Sequence, residues 1–191
     1  AIFANFFIDN EERFQRMKDS FSSFKDINPN EWVINVRGSF KNQTSQFLKE
    51  KLGDKIIISY LQSRLGWMYD SRVISKKITA NYVLFWVEDH ILVATPMALK
   101  NCILEMKKFN VDHLLYSWFH PNTIKVFDII KSHKVGRYIT VQKLDFDACY
   151  KIKKEKVQQD NFYTVISQSI MCKKFFKKIL FSNKPYLKRW S

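Results

Sequence analysis

The run Tyr82-Val83-Leu84-Phe85-Trp86-Val87 constrains this chain most. A strand with one wet face alternates apolar and polar side chains, and this run does not alternate. It needs cover on both faces, the condition of an inner strand in a parallel sheet. Glu88-Asp89-His90 follows at once, so two carboxylates and an imidazole stand where the apolar run stops. It is the longest strong apolar run in the chain, and falls far short of the roughly 18 residues of a membrane span.

Strand and helix patterns alternate around it. Ile2 to Ile8 reads as a buried strand, and Asp9-Asn10 then offers N-cap side chains to a helix carrying Phe14, Met17, Phe21 and Phe24 on one face. Trp32 to Val36 is a second strand, closed by Arg37-Gly38-Ser39. A helix over Thr44 to Leu52 turns Phe47, Leu48 and Leu52 inward, with Gly53 as C-cap. Lys55 to Tyr60 is a third strand and Asp70 to Ile78 a helix. Ile91 to Ala94 reads as a short strand, and Thr95-Pro96 opens a helix with Leu99, Cys102, Ile103 and Met106 on its core face. His113 to Phe119 and Tyr138 to Gln142 are further strands; Ile124 to Ser132 and Ser169 to Phe181 are further helices. Repeated strand–helix cycles predict an α/β fold, a mainly parallel sheet flanked by helices. Ligands of such sheets bind beyond the carboxyl ends of the strands. That singles out Asn5 to Asn10, Arg37 to Ser39, Ser59 to Gly66 and Glu88 to His90.

At 191 residues the chain is expected to form a single domain, with no repeat and no evident linker. Hydrophobic residues make up 46% and charged residues 26%, which excludes disordered and collagen-like classes. Three widely spaced cysteines, Cys102, Cys149 and Cys172, argue against a disulfide framework and a structural zinc site, and fit a cytoplasmic protein. The net charge of +14 is unevenly spread: residues 1–150 carry +5, and residues 151–191 carry 11 basic and 2 acidic side chains, a net +9. Such a field attracts nucleic acid, anionic lipid or phosphorylated molecules alike. Bases at Lys173, Lys174, Lys177 and Lys178 share one helical face. They read as the solvated side of a packed helix, as a peripheral contact with the inner face of an anionic membrane, or, since bases interleave with aromatics, as a nucleic-acid contact.

The residues that could carry chemistry are few. Carboxylates at the end of an apolar strand need a partner, and Glu88, Asp89 and His90 suit Mn²⁺ or Mg²⁺ with substrate phosphates completing the shell. A solvated acidic loop is the plainer reading. Arg37 offers a fork of donors and Gly38 close backbone approach; Ser63-Arg64 with Gly66-Trp67 is another anion-plus-aromatic combination. With four glycines and no Gly-x-Gly-x-x-Gly, dinucleotide and Walker-type cradles are excluded. No Ser or Cys sits in a nucleophile elbow, and the four histidines are scattered.

The order Phe3 to Asn10, Trp32 to Gly38, Ser59 to Trp67 and Tyr82 to His90 resembles the GT-A glycosyltransferases, particularly the family-two-like bacterial and viral ones. The likeness is clear over about residues 1–110, the nucleotide-sugar half, and weaker over 111–191, the acceptor half with its basic tail. It implies a GT-A, Rossmann-like fold and transfer of a sugar from a nucleoside diphosphate to a glycan or lipid-linked acceptor hydroxyl, in cell-envelope, capsule or glycoprotein glycan synthesis. It assigns nucleotide-sugar binding to Asn5, Phe7, Asp9, Arg37, Gly38, Gln62, Arg64, Gly66 and Glu88. Asp89 matches the last Asp of the family's Asp-x-Asp and, with Glu88 and His90, implies a Mn²⁺ or Mg²⁺ site. Val87 stands where the first Asp belongs, which makes an inactive scaffold domain an alternative. An acceptor base is not apparent; Asp145 and Asp147 are the candidates beside Asp89. The absent starting Met and base allow that the chain is one part of a longer protein. A nucleic-acid-binding module is the other class, disfavoured because the acids at the strand end would repel phosphate.

Overall fold

A computed structural model describes residues 1–115, 132–148, 150 and 169–182. Strand β1 (Ile2–Phe7) leads into helix α1 (Glu11–Phe24), and β2 (Trp32–Arg37) into α2 (Lys41–Leu52). A 3₁₀ turn (Gly53–Lys55) precedes β3 (Ile56–Ser59), followed by α3 (Trp67–Ser75) and β4 (Tyr82–Phe85). Then come α4 (Pro96–Phe109), β5 (His113–Leu115), the hairpin β6 (Ser132–Val135) and β7 (Thr140–Gln142), β8 (Ser169–Cys172) and α5 (Lys173–Leu180). The main sheet has six strands in the order β3-β2-β1-β4-β8-β5. The first four run parallel, and β8 lies antiparallel between β4 and β5. This is the expected mainly parallel α/β architecture.

The period of two along each strand builds two cores. Ile2, Ala4, Phe6 and Ile8 point to one face with Trp32, Ile34, Val36, Leu84, Trp86 and Ile170, beneath α1, α2 and α4. Phe3, Val33, Val83, Phe85 and Met171 point to the other, beneath α3 and α5. Both faces of β4 are therefore covered, as its unbroken apolar run requires. The expected caps are in place: Asn10 Oδ1 accepts from Arg13 N at 2.9 Å, and Thr95 Oγ1 from Ala98 N at 3.2 Å.

Two elements differ from the sequence reading. Ser169 to Phe181 does not begin as a helix: its first four residues form β8, whose Ile170 and Met171 pair with Leu84 and Val83 and are buried in opposite cores. Helix α5 starts only at Lys173, with Cys172 as its cap, Sγ accepting from Phe175 N at 3.4 Å. Ile91 to Ala94 forms no strand. Leu92 is buried and its N–H is taken by Ser23 Oγ at 2.9 Å, while Ile91 and Val93 are exposed. A side-chain tether to α1 stands where the sequence reading expected a strand ladder. The strand expected over His113 to Phe119 is described only to Leu115; of the helix expected over Ile124 to Ser132 only Ser132 is described, and it opens strand β6.

Glu31 ties the amino end of the sheet together. Its buried carboxylate accepts from Thr79 N and Ala80 N, both at 2.8 Å, and from Thr79 Oγ1 at 3.0 Å. Burial opposes ionisation, but these bonds outweigh it and hold the carboxyl below its ordinary range. Glu31→Ala leaves two backbone donors without this acceptor, and is expected to cost about 2–4 kcal/mol at pH 7 in urea unfolding. Because the folded pKa is depressed, the contribution is present above the unfolded value and fades as pH falls through the folded one. The gap between wild type and variant should narrow below about pH 4; a pH-independent gap would assign the loss to packing instead.

Candidate functional site

The strand order reverses at β1: the chain steps from β1 to β2 and β3 on one side, then returns across β1 to β4 on the other. In open α/β sheets this switch point, at the carboxyl ends, is where ligands bind. Four loops meet there, after β1, β2, β3 and β4.

The first two are locked to each other by backbone. Ile8 N donates to Arg37 O at 2.9 Å, and Phe40 N to Ile8 O at 3.0 Å. Gly38, at φ +93°, passes so close that a Cβ there would lie 2.2 Å from Ile8 O. Ser39 Oγ donates to Asp9 O at 2.7 Å. The third loop is held by two asparagines. Asn35, fully buried, receives Leu61 N–H on its Oδ1 at 2.8 Å and donates Nδ2 to Leu61 O and to Asn5 Oδ1. Asn5 donates its own amide to Ser71 Oγ at 2.9 Å and Trp67 O at 3.1 Å, and its carbonyl receives Trp67 Nε1. Asn5 thus positions the loop from inside. The same loop is closed by Asp70, 1% exposed, whose carboxylate takes Ser63 N–H at 3.2 Å.

On this scaffold sit Phe7, Arg13 and Arg37. The Phe7 ring, 36% exposed, has the Arg13 guanidinium 5.7 Å and the Arg37 guanidinium 5.6 Å from its centre. Arg13 also donates to Phe7 O at 3.1 Å and reaches Asp9 Oδ1 at 3.5 Å. Arg37 is partly buried, and its Nε has no hydrogen-bond partner among the described residues. Burial lowers its pKa from the ordinary value, opposed by the charges of Asp70 and Glu88. An under-solvated guanidinium beside an exposed ring is a ready acceptor of an anion or a planar group.

The fourth loop turns sharply after Val87, with His90 N donating to Val87 O at 3.2 Å. Ser20 anchors it, accepting from Trp86 Nε1 at 2.8 Å and donating to His90 O. Burial pushes the Glu88 carboxyl above its usual range, reinforced by Asp89, while its own N–H, Arg13 and His90 pull the other way. Asp89 is exposed, with Oδ1 3.2 Å from His90 Nδ1. Among the described residues no three His, Cys, Asp or Glu side chains converge as a metal cluster. The Asp89–His90 pair, with the under-compensated Glu88 beside it, still fits a Mg²⁺ or Mn²⁺ that draws its other ligands from phosphate and water.

Phe7, Asp9, Arg37, Gly38 and Glu88 are thus gathered at one end of the sheet. Gln62 and Arg64 are exposed on the third loop, and Gly66, at φ +83°, precedes α3. Asp145 and Asp147 belong to the segment after β7 instead. Asp145 caps a turn through Ala148 N at 3.0 Å and lies 3.8 Å from Lys143; Asp147 is exposed. Arg13, Asn35 and Asp70 went unread in the sequence. Arg13 stands four residues after Asp9, a spacing that pairs side chains on a helix; Asp70 follows Gly66 in a helix's first turn.

No protein-family model matches the sequence, and no curated protein matches it. The backbone does find solved counterparts. Staphylococcus aureus TarS residues 1–349 superposes with a TM-score of 0.53 at 15% identity, over 94% of this chain and 48% of that one. The chain shares its fold with TarS. It spans about half of that TarS structure, and 29% of the longer TarS structure at 16% identity and TM-score 0.53. TarS 1–349 has also been solved with UDP (TM-score 0.52) and with UDP-GlcNAc (TM-score 0.51), both at 15% identity. At this identity the likeness to TarS establishes the GT-A, Rossmann-like architecture.

Proposed function

We propose that this chain is the nucleotide-sugar-binding part of a glycosyltransferase, moving a sugar from a nucleoside diphosphate to an acceptor hydroxyl in glycan synthesis. The observation that carries it is the Phe7–Arg13–Arg37 cluster at the switch point of a fold whose counterpart TarS is known with UDP and UDP-GlcNAc bound. Phe7 offers a face to a base, and Arg37 a partly desolvated fork to ribose or phosphate. Asn5, Asn35 and Asp70 keep the third loop, with Gln62, Arg64 and Gly66, pressed toward the same end. Asp89 and His90, with Glu88 behind them, would hold Mn²⁺ or Mg²⁺, whose charge stabilises the leaving diphosphate. The acceptor hydroxyl must also lose a proton to a base. Asp145 is already engaged as a cap, which leaves Asp147 the better of the two expected candidates.

Calorimetric titration with UDP-, GDP-, CDP- and dTDP-sugars, each with and without Mn²⁺, tests the reading. Micromolar, metal-dependent binding of one donor is expected, and Asp89→Ala should remove the metal dependence. Arg37→Ala should weaken binding about 10- to 100-fold with or without metal, the loss of a charge-assisted contact. A well-folded protein that binds none of the donors would leave the inactive-scaffold alternative, which the Val87 departure motivates.

A further inference from the structure

At the opposite end of the sheet an open groove of about 1170 Å³ runs between α4 and the loop that joins α1 to β2. Its floor is apolar, formed by Ile2, Leu84, Leu99, Ile103 and Ile170. Its rim is basic, with Lys100 and Lys107 from α4 and Lys173 and Lys174 from the start of α5. Asp26 is the single carboxylate among its lining residues. Along α4 the residues Met97, Lys100, Leu104 and Lys107 follow one another at helical spacing, so one stripe alternates apolar and cationic side chains. Met97 is 62% and Leu104 55% exposed, so two apolar side chains stand at the surface on either side of Lys100 in this stripe.

We infer that this groove and the α4 stripe form a docking face for an anionic phospholipid surface. Charge complementarity selects the partner: four lysines face one carboxylate, on a chain of net +14. Lys173 already gives Nζ to Thr79 O at 2.8 Å, so Lys100, Lys107 and Lys174 supply most of the outward charge. The alternation favours lipid over an acidic peptide. Headgroups adjust laterally to lysines at any spacing, while Met97 and Leu104 enter the acyl boundary between them. Helix α5 cannot insert in the same way, because Phe176 and Leu180, each 2% exposed, are committed to the core beneath α3. The face lies at the amino ends of β1 and β4, away from the four carboxyl-end loops, so attachment leaves those loops open. The inference stands independently of the transferase reading.

Flotation of the full chain with phosphatidylcholine vesicles, with and without 30 mol% (about one lipid in three) phosphatidylglycerol, tests it. Binding to the anionic vesicles alone is expected, weakening as salt rises from about 0.1 to 0.5 M. Lys100→Ala with Lys107→Ala should weaken it about thirtyfold, from the contribution of each lysine near a charged surface. Met97→Ser with Leu104→Ser should weaken it as well, at unchanged charge. Lys177→Ala with Lys178→Ala, outside the groove lining, serves as the control. The inference fails if neither vesicle is bound, if both are bound alike, or if the control pair matters more than the groove pair. It also fails if a polyglutamate peptide occupies the groove while vesicles do not, which would assign the face to an acidic protein segment. All substituted side chains lie at the surface, and donor titration on the same variants keeps this test separate from the transferase one.

Discussion

Replacing Gly38 by alanine is expected to destabilise the protein by about 2–5 kcal/mol and to abolish donor binding at micromolar concentrations. The added Cβ would meet Ile8 O at 2.2 Å and Ile8 C at 2.6 Å, both backbone atoms. Neither can rotate away. That carbonyl is fixed by Phe40 N–H at 3.0 Å, and the Ile8 amide by Arg37 O at 2.9 Å. The backbone conformation adds strain, since φ of +93° is one that side chains with a Cβ rarely adopt. Relief requires the loops after β1 and β2 to separate, and Phe7 and Arg37 ride on them. Gly53 is the control: its φ is +56° and a Cβ there meets nothing within 4 Å. Gly53→Ala carries backbone strain without a clash, since ψ is −135°, and should cost about 1–3 kcal/mol and leave donor titration unchanged. Urea unfolding of both variants measures the difference, and equal costs would show that contact with Ile8 is not what selects glycine.

Trp86→Ala is expected to cost about 3–5 kcal/mol, the range for emptying a buried aromatic site. The indole is fully buried, with ring centres of Phe6 at 4.7 Å, Phe24 at 5.3 Å, Trp32 at 5.7 Å and Phe21 at 6.0 Å. It joins β1, β2 and α1 in a single aromatic cluster. Its Nε1 also bonds to Ser20 Oγ, which holds His90 O. Trp86→Phe separates the two roles. It keeps most of the packing and should cost about 1–2 kcal/mol, but it removes the indole donor from Ser20. Faster amide exchange at His90 and Leu92 in Trp86→Phe would be the mark of a loosened turn after β4. Unchanged exchange would mean that Ser20 holds the turn without help from the indole.

Much of this architecture was legible in the sequence because its signals are local. Asn10 and Thr95 cap helices with their own side chains, and Met17, Phe21, Leu99 and Met106 recur at helical spacing whatever they pack against. The unbroken run from Tyr82 required cover on both faces and received it from α1 and α4 on one side and α3 and α5 on the other. The loops to examine followed from the carboxyl ends of those strands alone.

Tertiary structure decided what depends on a distant partner. Ser169 to Cys172 is a strand because the outer edge of β4, with its unpaired N–H and C=O groups, accepts Ile170 beside Leu84. Nothing within four residues of Ile170 distinguishes that from a first helical turn. Ile91 to Ala94 is an apolar, β-branched-rich run that reads as a strand, but it pairs with no strand among the described residues and is held through Ser23 of α1 instead. Asn5, a residue the family resemblance places at the nucleotide, has its amide bonded to Asn35, Ser71 and Trp67, because β2 runs beside β1 and α3 packs against it. Arg13 joins Arg37 at Phe7 only once α1 folds back along β1. Periodicity and capping are written in neighbouring residues. Pairing, burial of charge and the crowding at Gly38 arise only when segments far apart in the chain are pressed together.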